Sequence, residues 1–331
     1  MVLSKDSALP ATEGFMGAML AGIASRSAAT SRVHRLYRDG YASEEEFSNA
    51  VKEDAEGIAS KQSEFAYVSY GQLDWLDIFR PIARSFSGFS SRLSSGEDAA
   101  GPVTRWFRTN TFYRKPLVSG KINCRGSELA DSVPLTKKPG VIFLPAPYSL
   151  SKMVENTFYG SLEDLAMDYS SALSKSMPAL AKKGYRCALL LDHLVGYEQS
   201  KDAFKAPDWY ADSLPKTKSA GVKVGVHYPS AVAVDTVPLA DSADIDIVGI
   251  DAVFDAEPRI NTRKDLLIGL VDSARVGVES DKGISDRLRK IVDKATFSGR
   301  YHVGPSDRLY DVPFEVALQK IETLSRVKKG A

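Results

Sequence analysis

Short apolar runs alternate with longer amphipathic stretches along most of the chain. The runs are rich in Val, Ile, Leu and Tyr, and they predict strands at residues 65–70, 117–122, 141–144, 186–192, 222–227, 245–250, 266–271 and 301–303. Segments with helical spacing, including residues 161–183 and 285–295, lie between most of these runs. Strand and helix in regular alternation are typical of a parallel sheet with helical crossovers.

The first part of the chain has a different pattern, in which apolar residues recur at helical spacing. We predict helices within residues 15–62, one of them capped by Ser43 and followed by three acids. About eight strand–helix units favour a closed (β/α)8 barrel of the TIM type over an open doubly wound sheet. No GxGxxG motif and no phosphate-binding GxxxxGK motif follows a predicted strand, which agrees with this choice. The sequence therefore predicts an α/β protein with a single barrel domain over residues 1–331 and a helical N-terminal segment.

Composition narrows the class of protein. Apolar residues make up 44% of the chain, charged residues make up 26%, and the formal net charge is only +1. These values indicate neither a general nucleic-acid binder nor a disordered chain. The N-terminus lacks a signal pattern and the apolar run at residues 15–24 is too short to span a bilayer, so we expect a cytoplasmic protein with no membrane partner. Cys124 and Cys187 form no CxxC pair, which predicts buried free thiols.

Residues 102–116 concentrate cations and large aromatic side chains without any acid. No Asp or Glu occurs between Asp98 and Glu128, whereas that stretch contains Arg105, Arg108, Arg114, Lys115, Lys121 and Arg125. This pattern favours a site for an anionic ligand with a ring available for stacking. The residues before it are rich in Ser and Gly and predict a flexible loop, so we expect residues 85–116 to contribute a ligand site. The alternative is a loop packed by its own aromatic residues, with the cations in water.

Polar side chains collect at the predicted carboxyl ends of the strands. They are Gln72, Asp192, His193, His227, Asp251, Asp272, Ser306 and Asp307. This end of a (β/α)8 barrel carries its chemistry. A single Asp or His at a strand end is about as often a structural hydrogen-bond partner as a ligand, so the prediction rests on the cluster.

Several of these residues resemble motifs of the cobalamin-independent methionine synthase family, in the same order along nearly the whole chain. Residues 105–110, Arg-Trp-Phe-Arg-Thr-Asn, are similar to the family's KWFDTN motif. Residues 191–194 are similar to its IDEP strand end, residues 227–229 to its HxC strand, residues 304–308 to its NPDCG segment, and residues 269–275 to an arginine-containing strand of its first half. The family's first strand has no clear counterpart at residues 12–16, which implies that this strand is lost or remodelled.

The resemblance implies a relation to a protein of two similar barrels, of which the second holds a catalytic zinc and the first is metal-free. Carried over by position, the zinc ligands would be His227, Pro229, Asp251 and Ser306. Proline has no donor atom and serine is a poor zinc ligand at neutral pH, so zinc is not expected in this chain. The family's acids for the amino group of homocysteine are replaced by Gln72 and His193, and only Asp192 of that set remains.

The resemblance therefore implies a stand-alone counterpart of the metal-free barrel. Such a chain would bind a methylated reduced pterin as a substrate and support methyl transfer to homocysteine with a separate zinc-bearing barrel. Its cations would meet carboxylates of a polyglutamyl tail, and Trp106 would stack on the pterin ring or wall it off. The candidate substrate-binding residues are Arg105, Trp106, Arg108, Asn110, Arg114, Lys115, Gln72, Asp192 and His227.

Two alternatives to this function stay open. One is a complete methyltransferase with an altered metal set, in which His193, His227 and Asp251 hold a cation. The other is a non-catalytic interaction subunit, in which the acid-free segment is a docking surface for another protein.

Overall fold

The computed structural model describes residues 14–75, 77–90, 102–107, 112–199, 205–215 and 221–327. Within these ranges the strands are β1 (Phe15–Ala18), β2 (Ser87–Ser90), β3 (Val103–Arg105), β4 (Phe112–Arg114), β5 (Leu117–Asn123), β6 (Gly140–Pro145), β7 (Glu155–Asn156), β8 (Tyr185–Leu191), β9 (Lys223–Tyr228), β10 (Ile247–Asp251), β11 (Asp265–Val271) and β12 (Tyr301–Pro305). The helices are α1 (Ala28–Arg38), α2 (Glu44–Ser60), α3 (Arg80–Ser85), α4 (Glu128–Asp131), α5 (Pro147–Met153), α6 (Leu162–Lys182), α7 (His193–Gln199), α8 (Ala233–Asp241), α9 (Asp281–Val292) and α10 (Phe314–Ser325).

A curled parallel sheet of seven strands forms the centre of the molecule. Its strands lie in the order β1-β12-β11-β10-β9-β8-β6, and each neighbouring pair is parallel. Almost every residue of β6 and of β8 to β12 is buried, because helices cover one face of the sheet and the other face lines its interior. This burial explains why these strands are continuous apolar runs in the sequence.

Residues 64–68 connect the two edges of this sheet. Phe65 forms a parallel bridge with Ala18 of β1, and Val68 forms one with Gly140 of β6. The predicted α/β fold with a parallel sheet is confirmed. The predicted closed barrel of eight regular strands is not shown in full, because the predicted strand at residues 65–70 makes only these single bridges.

The helical segment predicted over residues 15–62 is wrong at its start. Residues Phe15–Ala18 form a strand that pairs with β12, so the first strand is present, and α1 and α2 follow it. Gly17 explains the error, since its φ of 120° is incompatible with a helix of L-residues. A Cβ at this position would lie 2.8 Å from the backbone nitrogen of Ala66, so the strand also passes close to the bridging segment.

The predicted strand at residues 117–122 exists but lies outside the main sheet. It is β5, which pairs with β2 and β7 in a small sheet. The main sheet therefore contains six of the eight predicted strands together with β1, which the sequence pattern did not indicate.

The predicted helices agree closely with the structure. Ser43 caps α2 in a capping box with Glu46, as the three acids after it indicate. The predicted segments 161–183 and 285–295 correspond to α6 and α9. Both cysteines are buried free thiols, as expected. No helix in the described part of the chain is long and apolar enough to cross a membrane.

Candidate functional site

The basic aromatic segment is a β-hairpin that covers the carboxyl end of the sheet. Strand β3 pairs antiparallel with β4, and Arg105 lies opposite Phe112 while Thr104 lies opposite Tyr113. Because side chains alternate across a strand, Arg105, Phe112 and Arg114 share one face of the hairpin. The opposite face carries Tyr113, which is buried and donates a hydrogen bond of 3.1 Å to the Met153 carbonyl. The hairpin therefore has a cationic outer face and an aromatic inner face.

The outer face carries two of the predicted cations, Arg105 and Arg114, and Lys115 follows β4 directly. Arg105 is exposed, and its guanidinium carbon lies 5.7 Å from the centre of the Phe112 ring. Arg114 and Lys115 are half-buried. Among the residues that the structure describes, no carboxylate forms an ion pair with any of the three. The predicted site residues Arg108 and Asn110 lie outside the described residues.

Trp106 follows β3 and points into the protein, where it is only 4% exposed. Its ring lies 5.8 Å from that of Phe79, 5.6 Å from that of Tyr113 and 5.0 Å from that of His193. The guanidinium carbon of Arg308 lies 4.8 Å from the ring centre. These neighbours enclose the indole, so Trp106 is not open for stacking. It lies at the carboxyl end of the parallel sheet, which we call the mouth.

A turn after β12 spans the mouth of the sheet beneath Trp106. His227, fully buried at the end of β9, donates its Nε2 proton to the carbonyl of Ser306 over 2.7 Å, since a carbonyl only accepts. Burial lowers the pKa of His227, which keeps the ring neutral. His193 at the start of α7 lies 2.9 Å from Asp307 through Nε2. Although burial raises the pKa of the Asp307 carboxyl, His193 and Arg308 together lower the pKa below its usual value.

Asp192 belongs to a second, fully buried group at the end of β8. Its carboxylate accepts hydrogen bonds from the Ser149 hydroxyl at 2.6 Å and from the Tyr210 hydroxyl at 2.7 Å. The hydroxyl of Tyr228 lies 3.1 Å from that of Tyr210. Burial raises the pKa of Asp192 against the effect of these donors. The hydroxyls of Ser149 and Tyr210 therefore already donate to the carboxylate of Asp192, which the sequence predicted as a substrate contact.

The residues at the four zinc positions do not fit a zinc ion. Asp251 accepts three hydrogen bonds from the backbone, from Ser230, Val253 and Phe254. Burial raises the pKa of its carboxyl to about 6. Pro229 has no donor atom, and the Ser306 hydroxyl lies 3.1 Å from that of Ser273. No group of three or more His, Cys, Asp or Glu residues in the described ranges is arranged to hold a metal ion.

The side-chain amide of the predicted site residue Gln72 is hydrogen-bonded to the backbone of β6. It lies beyond the bridging segment in a left-handed conformation with φ of 47°. Its side-chain amide donates to the Phe143 carbonyl at 3.1 Å and accepts from the Phe143 N–H at 2.6 Å. The amide therefore continues the pairing with β6 where the backbone no longer does.

A loop on the other side of the mouth is held by a buried lysine of the last helix. Lys320 on α10 is fully buried, and its ammonium donates to the Gly277 carbonyl at 2.5 Å and to Glu279 at 3.2 Å. Glu279 also accepts the N–H of Asp272 at 2.6 Å. This arrangement fixes the loop between β11 and α9, which carries two exposed valines.

An open cavity of about 380 Å³ lies next to the hairpin, between α5, the start of α6 and residues 205–209. It is lined by Tyr148, Lys152, Ser161, Leu162, Glu163, Lys205, Pro207 and Trp209. The rings of Tyr148 and Trp209 are 6.0 Å apart, and the ammonium of Lys152 lies 4.9 Å from the Tyr148 ring centre. Glu198 fixes both Tyr148 and Lys152 by hydrogen bonds of 2.5 and 2.9 Å. The cavity offers flat rings and two ammonium groups.

Sequence reasoning missed Ser149, Tyr210, Arg308 and the cavity residues. Arg308 was noted only as part of residues 304–308. The other residues stand in no motif, and none of them directly follows a predicted strand. The basic character of the hairpin was the one signal that pointed to this part of the surface.

Comparison with known proteins supports the resemblance seen in the sequence. No protein-family profile matches the chain. The methionine synthase of Sulfolobus acidocaldarius is 25% identical over 243 residues, which cover 70% of this chain and 69% of that protein. The methionine synthase of Thermococcus kodakarensis is 22% identical over 304 residues, which cover 88% and 85%.

Solved structures share the fold. A B12-independent methionine synthase from Shewanella, in complex with selenomethionine, superposes with a TM-score of 0.66 at 14% identity and covers 97% of both chains. A putative vitamin-B12 independent methionine synthase from Listeria monocytogenes also gives 0.66, at 15% identity, over 95% of this chain and 97% of that one. With the ordered motifs, these curated relatives and shared fold agree with the resemblance of the chain to the cobalamin-independent methionine synthase family.

Proposed function

We propose that this chain binds a methylated reduced pterin with a polyglutamyl tail and supports methyl transfer to homocysteine together with a separate zinc-bearing barrel. The observation that carries this proposal is the hairpin, where Arg105 and Arg114 share the outer face, Lys115 follows β4, and none of the three forms an ion pair with an acid among the described residues. Guanidinium groups engage carboxylates bidentately, so this face suits a chain of carboxylates.

The ring of the donor requires a site other than Trp106, because that indole is enclosed. The cavity between Tyr148 and Trp209 supplies flat rings on the same side of the molecule. The hairpin adjoins it, since Tyr113 is bonded to Met153, the residue after Lys152. We therefore place the pterin ring in this cavity and the tail on the outer face of the hairpin.

The transfer step itself is assigned to a partner barrel for a chemical reason. Homocysteine reacts as a thiolate, and zinc lowers the pKa of a bound thiol. Pro229 has no donor atom, Asp251 and the Ser306 hydroxyl are engaged by the protein, and His227 is engaged through Nε2, which leaves Nδ1. The three backbone hydrogen bonds on Asp251 disfavour a complete methyltransferase that uses His193, His227 and Asp251.

The distribution of exposed apolar side chains supports docking of a partner at the mouth. Eight of the twelve large exposed apolar residues in the described ranges lie on the hairpin, on loops that follow the carboxyl ends of strands, or in the first turns of α6 and α8, and four lie elsewhere. The eight are Val103, Phe112, Phe158, Leu162, Val234, Phe254, Val276 and Val278. Apolar residues gathered on one face mark interaction surfaces. A partner that covers this face would enclose the donor. We also infer that residues 64–68 take the place of the eighth strand of a barrel, between β1 and β6.

Binding of a methylated pterin polyglutamate, measured by calorimetry, tests the proposal. Arg105→Ala and Lys115→Ala should each weaken binding by about 1–3 kcal/mol and leave thermal stability nearly unchanged, because Arg105 is exposed and Lys115 is only half-buried. Rising salt should weaken binding by the unaltered protein. Arg259→Ala, at an exposed arginine between β10 and β11, is the matched control and should have no effect.

Two outcomes would contradict the proposal. If both hairpin variants bind the donor as well as the unaltered protein at low salt, the donor site is wrong and the interaction subunit takes its place. If metal analysis of the purified protein finds stoichiometric zinc that survives dialysis, the complete methyltransferase takes its place.

A further inference from the structure

Three consecutive residues after β12 each contact a different part of the mouth. The Ser306 carbonyl accepts from His227 at the end of β9, Asp307 pairs with His193 on α7, and Arg308 packs on Trp106 of the hairpin. In the sheet, β10 and β11 separate β12 from β9, and β8 lies beyond β9. These contacts therefore cross the mouth and join the hairpin to the sheet.

Arg308 is held on several sides. Its side chain is only 6% exposed, and two of its guanidinium nitrogens donate to Asp311 at 3.2 and 3.1 Å. Its guanidinium carbon lies 4.8 Å from the Trp106 ring and 5.4 Å from the Tyr310 ring. Its backbone N–H donates to the Asp307 oxygen that faces His193. A planar guanidinium suits this position because it forms forked bonds in its plane and stacks on a ring, whereas an ammonium group does not.

We propose that Arg308 is a positioning residue for the hairpin: by fixing Trp106 on the inner side, it sets the place of Arg105 and its neighbours on the outer side. Arg105 and Trp106 are adjacent in sequence and point to opposite sides of the hairpin. If the indole moves away from Arg308, the cations on the outer face move with it. They are then no longer placed to bind the carboxylates of the polyglutamyl tail. The effect on the donor rests on the proposed function, but the effect on the hairpin does not.

Quenching of tryptophan fluorescence by acrylamide tests the contact without any ligand. In a Trp209→Phe background the remaining tryptophans, Trp75 and Trp106, are 2% and 4% exposed, so quenching should be weak. Arg308→Lys keeps the charge and loses the planar stack. It should raise the quenching constant about two- to threefold, since one of the two indoles gains access to solvent. Arg326→Lys is the control, because Arg326 pairs with Asp281 at a similar distance of 3.1 Å on the surface.

The outcomes separate this proposal from the proposed function. Unchanged quenching in a folded Arg308→Lys protein, with folding confirmed by circular dichroism, overturns the positioning role. Should Arg308→Lys fail to fold, Asp311→Asn, at the half-exposed partner of Arg308, takes its place, and unchanged quenching there has the same meaning.

Donor binding is measured in the protein that keeps Trp209. Arg308→Lys should weaken it about fivefold, because the outer cations are no longer preorganised. Unchanged affinity together with raised quenching overturns the positioning role for the donor site. If the unaltered protein binds no donor at all, the proposed function fails and the quenching result alone decides whether Arg308 holds the hairpin.

Discussion

Replacement of Tyr210 by Phe isolates one hydrogen bond onto a buried carboxylate. The aromatic ring stays, so no cavity opens, and the change removes the hydroxyl that donates to Asp192 over 2.7 Å. A hydrogen bond to a charged group contributes about 1.5–3 kcal/mol, and we expect the free energy of unfolding to fall by about 2 kcal/mol at pH 7.5. The nearby Tyr228 hydroxyl also loses its neighbour. Urea unfolding followed by circular dichroism measures the difference.

The effect should depend on pH in one direction. Burial raises the folded-state pKa of Asp192 above its ordinary value of 3.8, and loss of a donor raises it further. As the pH falls and the carboxyl takes up a proton in the native state, the lost bond becomes one to a neutral group, worth about 1 kcal/mol. The destabilisation by Tyr210→Phe should therefore shrink between pH 7.5 and pH values near the folded-state pKa.

Tyr169→Phe is the matched control, since Tyr169 is fully buried and donates to the neutral Pro145 carbonyl at 3.1 Å. It should cost about 1 kcal/mol at every pH. The reasoning is refuted if Tyr210→Phe costs no more than this control, or if its cost does not change with pH.

Four further predictions concern Lys320, His302, the zinc content of the protein and its activity without a partner. Lys320→Met should lower the free energy of unfolding by about 2–4 kcal/mol, because Glu279 is left without its cation, and adding Glu279→Gln should recover part of the loss in the same urea assay. Burial lowers the pKa of His302 to about 4 from 6.5, so its contribution to stability is present above pH 6.5 and about 3 kcal/mol is lost as the pH falls through 4. His302→Leu should flatten that part of the stability profile, and an unchanged profile would count against a buried neutral ring. With Pro229 and Ser306 at two ligand positions, the purified protein should contain far less than one equivalent of zinc by atomic emission, and without a partner it should make no methionine from homocysteine and a methylated pterin.

Local pattern predicted most strands but not their partners. The buried strands β8 to β12 were recognised because both of their faces are covered, which leaves an apolar run with clear ends. Strand β1 was missed since four residues with a glycine at positive φ carry almost no periodic signal. Strand β5 has the same apolar character as the strands of the main sheet, and only tertiary packing assigns it to the small sheet.

The candidate site shows a similar division. The sequence predicted that Asp192, His193, His227 and Asp307 lie at one end of the sheet, because parallel strands end on the same side. It did not predict that Asp192 is bonded to Tyr210 or that Asp307 faces His193, since no spacing relates residues so far apart in the chain. The basic segment was correctly singled out, but its division into an outer cationic face and an inner indole depends on hairpin register, which the sequence did not show.

The place of β1 in the sheet has a consequence for biosynthesis. Phe15 pairs with Tyr301, so among the described strands the earliest one to be synthesised has its neighbour in the latest one. Until then both Phe15–Ala18 and the outer side of β11 are unpaired edges, which are exposed to association with other chains. Contacts of such long sequence separation also make folding slow. Expression at lower temperature or with a chaperone should therefore raise the yield of this chain more than stabilisation of its mouth would.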